Sequence, residues 1–161
     1  MAYWLFKTEP DTFSIDTLRT QNIACWEGVR NYQARNMLRD DVKLGDLVLI
    51  YHSSCKNIGV AGVGKVVREA YPDHYQFDPH SEYFDPKSDP DKPRWLMVDI
   101  EFVRKTARVI PLSVMKAMPE LANMPLVKRG NRLSVMPVSD AEWQAIMAKE
   151  HLSSRSESRQ S

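Results

Sequence analysis

Hydrophobic and polar positions change their period several times along this chain, and each change predicts an element. Tyr3 to Lys7 is an apolar stretch bounded by Pro10, which predicts a first strand. Ser14 offers a capping hydroxyl to a short helix with Ile15 and Leu18 inward, and Asn31 offers an amide to a second helix through about Arg39, with Met37 and Leu38 inward. Leu44-Gly45-Asp46 turns the chain into Leu47 to Tyr51, an apolar run of the kind seen in buried strands. Ile58 to Arg68 mixes valines with Gly59, Gly62 and Gly64, which predicts a bent strand paired to the previous one across the loop Ser53 to Asn57. Trp95 to Val103 alternates, with Val98, Ile100 and Phe102 on one face and Asp99 and Glu101 on the other. Pro111 opens a helix through about Met118, Pro119 a further turn, and Arg132 to Val138 forms another strand. Ser139 and Glu142 make a capping box ahead of a last helix that faces Trp143, Ile146 and Met147 inward.

Between the central strands, Tyr71 to Pro93 has no periodicity and holds five of the ten prolines, so a long loop is expected there. Loops of that length inside a compact domain usually serve a purpose. The strands do not alternate regularly with long helices, which argues against a doubly wound sheet. The expectation is an α+β fold, one domain over residues 1–150, with short helices around a small, strongly curved sheet or barrel. Residues 151–161 are rich in Ser, Arg and Gln and are expected to be a disordered tail.

Composition adds bounds more than direction. A chain of 161 residues with 43% hydrophobic content can build one real core. Net charge is only +1, but six acids crowd Pro72 to Arg94, whereas Val103 to Ser139 holds seven Lys or Arg against Glu120. A basic face beside an acidic loop follows, and a local patch matters more to a polyanion than the sum. Cys25 and Cys55 have no zinc-ligand spacing, so reduced thiols and no metal or cofactor are expected. No secretory leader pattern and no apolar run near 18 residues is present, so the expectation is a cytoplasmic protein, monomeric and off the membrane.

The chemistry concentrates in residues 26–39, where two aromatics, a glycine, amides and three arginines share one stretch. Trp26 and Tyr32 offer π-faces, Asn31 and Gln33 amides, and Arg30, Arg35 and Arg39 charge for phosphate oxygens. Reading an unstacked nucleobase needs that mixture of stacking and hydrogen bonding. A buried Trp and a solvated helix face produce a similar string.

Five separated motifs carry a resemblance to a known family. Tyr3 to Pro10, Trp26 to Asn36, Tyr51 to Ser53, Tyr83 to Ser88 and Gly130 to Val135 are similar to the EVE domain, over about residues 2–148. The resemblance implies a PUA-like fold, a curved β-barrel with peripheral helices, and recognition of a nucleic-acid base without a known reaction.

Each candidate residue has a plainer reading beside the functional one. Trp26 is either a stacking wall or core, whereas Trp4, Trp95 and Trp143 sit in strand or helix patterns and read as core. Asn31 is a cap, a base-edge reader as Asn is with adenine, or both. Lys7 and Thr8 end the first strand at an expected pocket mouth, or are solvated there. His52 and Ser53 end an apolar strand at a rim, with a structural histidine the usual alternative. Asp85 either accepts from an exocyclic amino group or pins a turn before Pro86. Val29, Arg30, Tyr32 and Phe84 complete the expected base pocket. Arg35, Lys87, Arg129, Asn131 and Arg132 are the expected phosphate contacts, with a solvated turn as the alternative near Gly130.

The leading expectation is a non-catalytic module that recognises a modified base in DNA or RNA. An enzyme acting on a modified nucleoside or base through His52, Asp85 or Cys55 is the runner-up, and a structural adaptor the third. The sequence holds no phosphate loop, metal-ligand set or recognisable pair of catalytic carboxylates.

Overall fold

The computed structural model describes residues 1–150 in full and the backbone alone of residues 151–160. In chain order the elements are β1 (Tyr3–Thr8), α1 (Ile15–Gln21), β2 (Ile23–Cys25), α2 (Tyr32–Asp40), β3 (Leu47–His52) and β4 (Gly59–Pro72). They continue as β5 (Leu96–Pro111), α3 (Leu112–Lys116), β6 (Val135–Val138) and α4 (Asp140–Gln160). Short 3-10 turns lie at His74–Phe77, Pro119–Leu121 and Pro125–Val127. The result is a single mixed α+β domain.

The six strands form one sheet in the order β2-β5-β4-β3-β1-β6. Only β1 and β3 run parallel; every other pair is antiparallel. Strands β2 and β6 are edges, so the sheet is open and the expected barrel does not close. The edge strands are short, three and four residues. Helix α2 packs against β4, β5 and β6 and buries Ala34 and Leu38.

Both faces of the central strands are buried, which is why their sequences read as continuous apolar runs. Along β1 and β3, Trp4, Phe6, Val48 and Ile50 turn to the face covered by α1 and α2. Leu5, Leu49 and Tyr51 turn to the opposite face, with Met115, Leu121, Trp143 and Ile146. The caps act as expected: Ser14 accepts from the Thr17 N–H, and the Asn31 side chain accepts from the Ala34 N–H at 3.0 Å.

Several boundaries differ from the sequence expectation. Strand β4 runs on to Pro72 and β5 to Pro111, because each supplies the other's hydrogen bonds where neither alternates clearly alone. Strand β2 was not anticipated, and its three residues are too few to establish a period. Strand β6 begins at Val135, and the helix after Pro111 ends at Lys116. The expectation of a disordered tail falls on residues 151–161, outside the fully described part of the chain.

The loop between β4 and β5 is tied by three side chains. Asp73, fully buried, accepts from the Gly28 N–H and the Tyr75 N–H and pairs with Arg30 at 3.0 Å. Gln76, also buried, donates to the Asp73 and Trp95 carbonyls and accepts from Ser88 and the Trp95 N–H. Asp85 accepts from the Trp95 indole at 2.7 Å and the Lys87 N–H at 2.9 Å.

Candidate functional site

A pocket of about 460 Å³ opens where several chain segments converge at one end of the sheet. Because β1 and β3 are parallel, their C-terminal ends reach the same rim, and the Ser53 N–H donates to the Thr8 carbonyl at 2.9 Å. The lead-in to β6 joins them through the Lys7 N–H, which donates to the Ser134 carbonyl at 2.9 Å. The segment after β2 supplies Trp26 to Val29, and the β4–β5 loop brings Tyr83.

Trp26 lines this pocket and is only 7% exposed. Its ring packs at 5.6 Å on Phe6 and at 5.5 Å, edge on, against Phe13. It is therefore wall and core at once. Gly28 has φ +86, and a Cβ there would stand 2.6 Å from the Tyr83 ring. Both the backbone and the close ring require glycine. Tyr83 thus seats on bare backbone, and burial, together with Glu82, pushes its hydroxyl up to about 12.

Charges of both signs face the cavity. Lys7 and Arg132 are its cations, and Glu9, Glu27 and Glu82 its carboxylates. Half-burial lowers the Lys7 pKa, since desolvation disfavours the ammonium form. Cys25 donates its thiol proton to Glu27 at 3.4 Å, and burial followed by the Glu27 charge pushes that thiol up to about 11. At neutral pH it is a weak donor that orients Glu27, not a nucleophile.

The sequence candidates divide. Lys7, Thr8, Trp26, Val29 and Ser53 meet at the pocket, joined by Arg132, which was expected to touch phosphate. Arg30 lies behind it, held by Asp73 and the Tyr83 carbonyl. Asn31 spends its amide oxygen on the cap of α2, and Tyr32, half exposed, stacks at 4.9 Å on Trp95. His52 faces a different concavity, where its Nε2 accepts from the Ile15 N–H at 3.0 Å. Asp85 holds its loop through Trp95, and of the aromatic pair it is Tyr83, not Phe84, that lines the cavity.

Among the remaining phosphate candidates, Arg35 donates to Asn36 and the Arg94 carbonyl, while Lys87 and Arg129 are exposed. Asn131 accepts from the Leu133 N–H, shaping the turn at Gly130. Glu27, Glu82 and Phe13 were not singled out from sequence. Glutamates beside a glycine or in an acidic loop look like solvated surface, and only the folded chain brings half-buried Glu27 and exposed Glu82 to the lining of one pocket. Among the described residues, no group of three or more His, Cys, Asp or Glu is placed to hold a metal ion, and no helix is long and apolar enough to cross a membrane.

Residues 2–149 match the family model described as EVE domain. The chain is 43% identical to human thymocyte nuclear protein 1 over 168 residues, covering 92% of this chain and 74% of that protein. A crystal structure of a Pseudomonas syringae protein, 49% identical, superposes with a TM-score of 0.90 and covers 92% of this chain and 99% of its own. The human THYN1 protein, solved in complex with 5-methylcytosine containing DNA, superposes with a TM-score of 0.89 at 43% identity, covering 93% of this chain and 98% of its own.

Proposed function

The chain belongs to the EVE domain family, and on that premise we propose that it binds DNA carrying a modified cytosine without altering it. The base leaves its stack and enters the pocket beside Trp26. The observation that carries this reading is the pocket itself, on a chain 43% identical to a protein solved with 5-methylcytosine containing DNA. Its volume of about 460 Å³ lies within the range of small-ligand sites. Trp26 and Tyr83 supply aromatic surface for a flat ring. The Glu27 carboxylate accepts from the exocyclic amino group of cytosine, as acids do in grooves. Lys7 donates to the ring's acceptor atoms, and Val29 offers apolar contact to a 5-methyl group.

A binding role fits the chemistry better than the enzyme alternative. The Cys25 thiol in the pocket is held protonated, with its pKa at about 11, while the candidates His52 and Cys55 both line the other concavity. Asp85, the third catalytic candidate, is engaged by Trp95 and Lys87.

The test compares single-stranded oligonucleotides that carry cytosine, 5-methylcytosine or thymine at one position. The 5-methylcytosine strand should bind most tightly, and nucleosides digested from it after incubation should be unchanged by mass spectrometry. Equal affinity for all three strands, or a converted nucleoside, would overturn the reading. Glu27→Gln should erase about 1–3 kcal/mol of the preference for 5-methylcytosine over thymine, because its amide can serve the thymine carbonyl equally well.

A further inference from the structure

The base pocket poses an electrostatic problem. Its lining carries three carboxylates against two cations, so it does not by itself attract a polyanion. The cations are found on the other side of a ridge formed by residues 9–15 and 52–55. Glu9, Phe13 and Ser53 face the pocket, while Pro10, Ile15 and His52, their close neighbours in sequence, face the opposite slope.

Two concavities of about 430 and 680 Å³ lie on that slope and share Lys56, Asn57, Arg108 and Val109, so they form one continuous groove. Lys56, Lys105, Arg108 and Lys116 line it against two carboxylates, Asp11 and Asp16. Asp16 is already engaged with Lys105 at 2.9 Å. His52 adds no charge at neutral pH, since burial lowers its pKa and its Nε2 accepts from the Ile15 N–H.

The groove is built by an irregularity in the sheet. Pairing steps from Val60 opposite Ile110 to Gly62 opposite Lys105, so Ala61 alone faces the four residues Thr106 to Val109. Bulges of this kind re-aim side chains and concentrate beside functional sites. This one is pinned from α4, where Glu150 accepts from the Ala107 N–H at 3.1 Å and holds Arg104 at 2.9 Å. Within the bulge, Thr106 is 4% exposed and its hydroxyl has no hydrogen-bond partner. A buried hydroxyl without a partner is uncommon, and a phosphate oxygen would complete it.

We propose that this groove, across the ridge from the base pocket, binds the sugar–phosphate backbone of the strand that delivers the base, with Lys56 and Lys116 on its phosphates. The proposal rests on the base-binding reading, and it assigns the flanking nucleotides a definite path. The base pocket then selects and the groove holds, the division of labour usual between base and phosphate contacts.

The test uses single strands with one 5-methylcytosine and flanks of increasing length on either side, together with the free nucleoside 5-methyldeoxycytidine. Lys56 and Lys116 are both exposed, so Lys56→Glu with Lys116→Glu should leave the melting temperature unchanged. In the parent protein, affinity should climb as the flank on one side lengthens. In the double variant that climb should vanish, and the slope of log affinity against log salt should flatten by about 0.7 per lost phosphate contact. Nucleoside affinity should be equal in both. Lys43→Glu with Lys128→Glu, both exposed and outside all three concavities, matches the change in net charge. An unchanged length dependence and slope in the groove double variant, or equal flattening by the Lys43→Glu, Lys128→Glu control, would overturn the groove. If the slope flattens while modified and plain strands bind alike, the groove stands and the base reading falls.

Discussion

Trp26 to Val29 and Arg30 to Arg35 are successive halves of one polar, aromatic segment, yet only the first opens onto the pocket. The second half is spent internally. Arg30 is held by Asp73, Asn31 caps α2, Tyr32 stacks on Trp95, and Arg35 bonds to Asn36 and the Arg94 carbonyl. Both halves contain residue types suited to nucleic acid. What separates them is whether the hydrogen-bonding capacity of each side chain is already used by the fold.

The largest effect should come where site and core coincide. Trp26→Ala should cost about 3–5 kcal/mol in urea unfolding, the range for a buried Trp, because Phe6 and Phe13 lose their partner. Trp26→Phe should keep most of that stability. A Trp26→Ala protein as stable as the parent would show a ring that only covers ligand.

Next comes the residue that joins the two halves. Asp73→Ala removes the acceptor for the Gly28 N–H and the partner of Arg30 at once. A loss of about 3 kcal/mol is expected, since breaking one side of a buried pair strands the other charge. Because Arg30 and the Gly28 turn both shift, base binding should weaken too, as measured by titration with the 5-methylcytosine strand.

Asn31→Ala should separate the halves cleanly. It should cost about 1 kcal/mol through the lost cap and leave base affinity unchanged. A selective loss of binding at full stability would move Asn31 back into the site.

The smallest effect concerns His52, next to Ser53 in the chain but on the other slope. Its pKa is lowered from the ordinary 6.5 by burial, with Asp16 opposing and Lys105 assisting. As pH falls below 6.5, the unfolded chain takes up a proton that the folded chain refuses, so stability should decline until the folded-state value is passed. His52→Gln should flatten the melting temperature profile in that window. An equally steep profile in the variant would assign the slope to other groups.

Legibility followed the range of the forces involved. The caps of α1 and α2 and the runs of β1 and β3 depend on neighbours a few residues away, and the sequence displays them. Strand β2 and the second half of β5 exist because distant partners supply hydrogen bonds, and the Arg104 to Arg108 stretch carries no clear period of its own. Barrel closure failed as an expectation because β2 and β6 do not pair with each other, a long-range outcome without local trace. In the site, strand ends announced Lys7, Thr8 and Ser53. Glu27 and Tyr83 line the pocket because distant Asp73 fixes the Gly28 turn and distant Tyr83 seats on its bare backbone, contacts that only the fold creates.

The parallel pairing of β1 with β3 has a kinetic consequence. Antiparallel neighbours can zip from a hairpin, but this pair must close a long excursion through α1, β2 and α2 before its first bond forms. β6, from the far end of the chain, pairs with β1. Contacts so distant in sequence slow folding, because the entropy of closing loops is lost before those contacts repay it. The pocket takes its lining from both ends of the chain, Lys7 and Arg132 among them, so it is complete only once these long-range pairings have formed. A strand that binds there selects finished molecules alone, and by mass action it raises the stability of those molecules in proportion to the logarithm of its concentration.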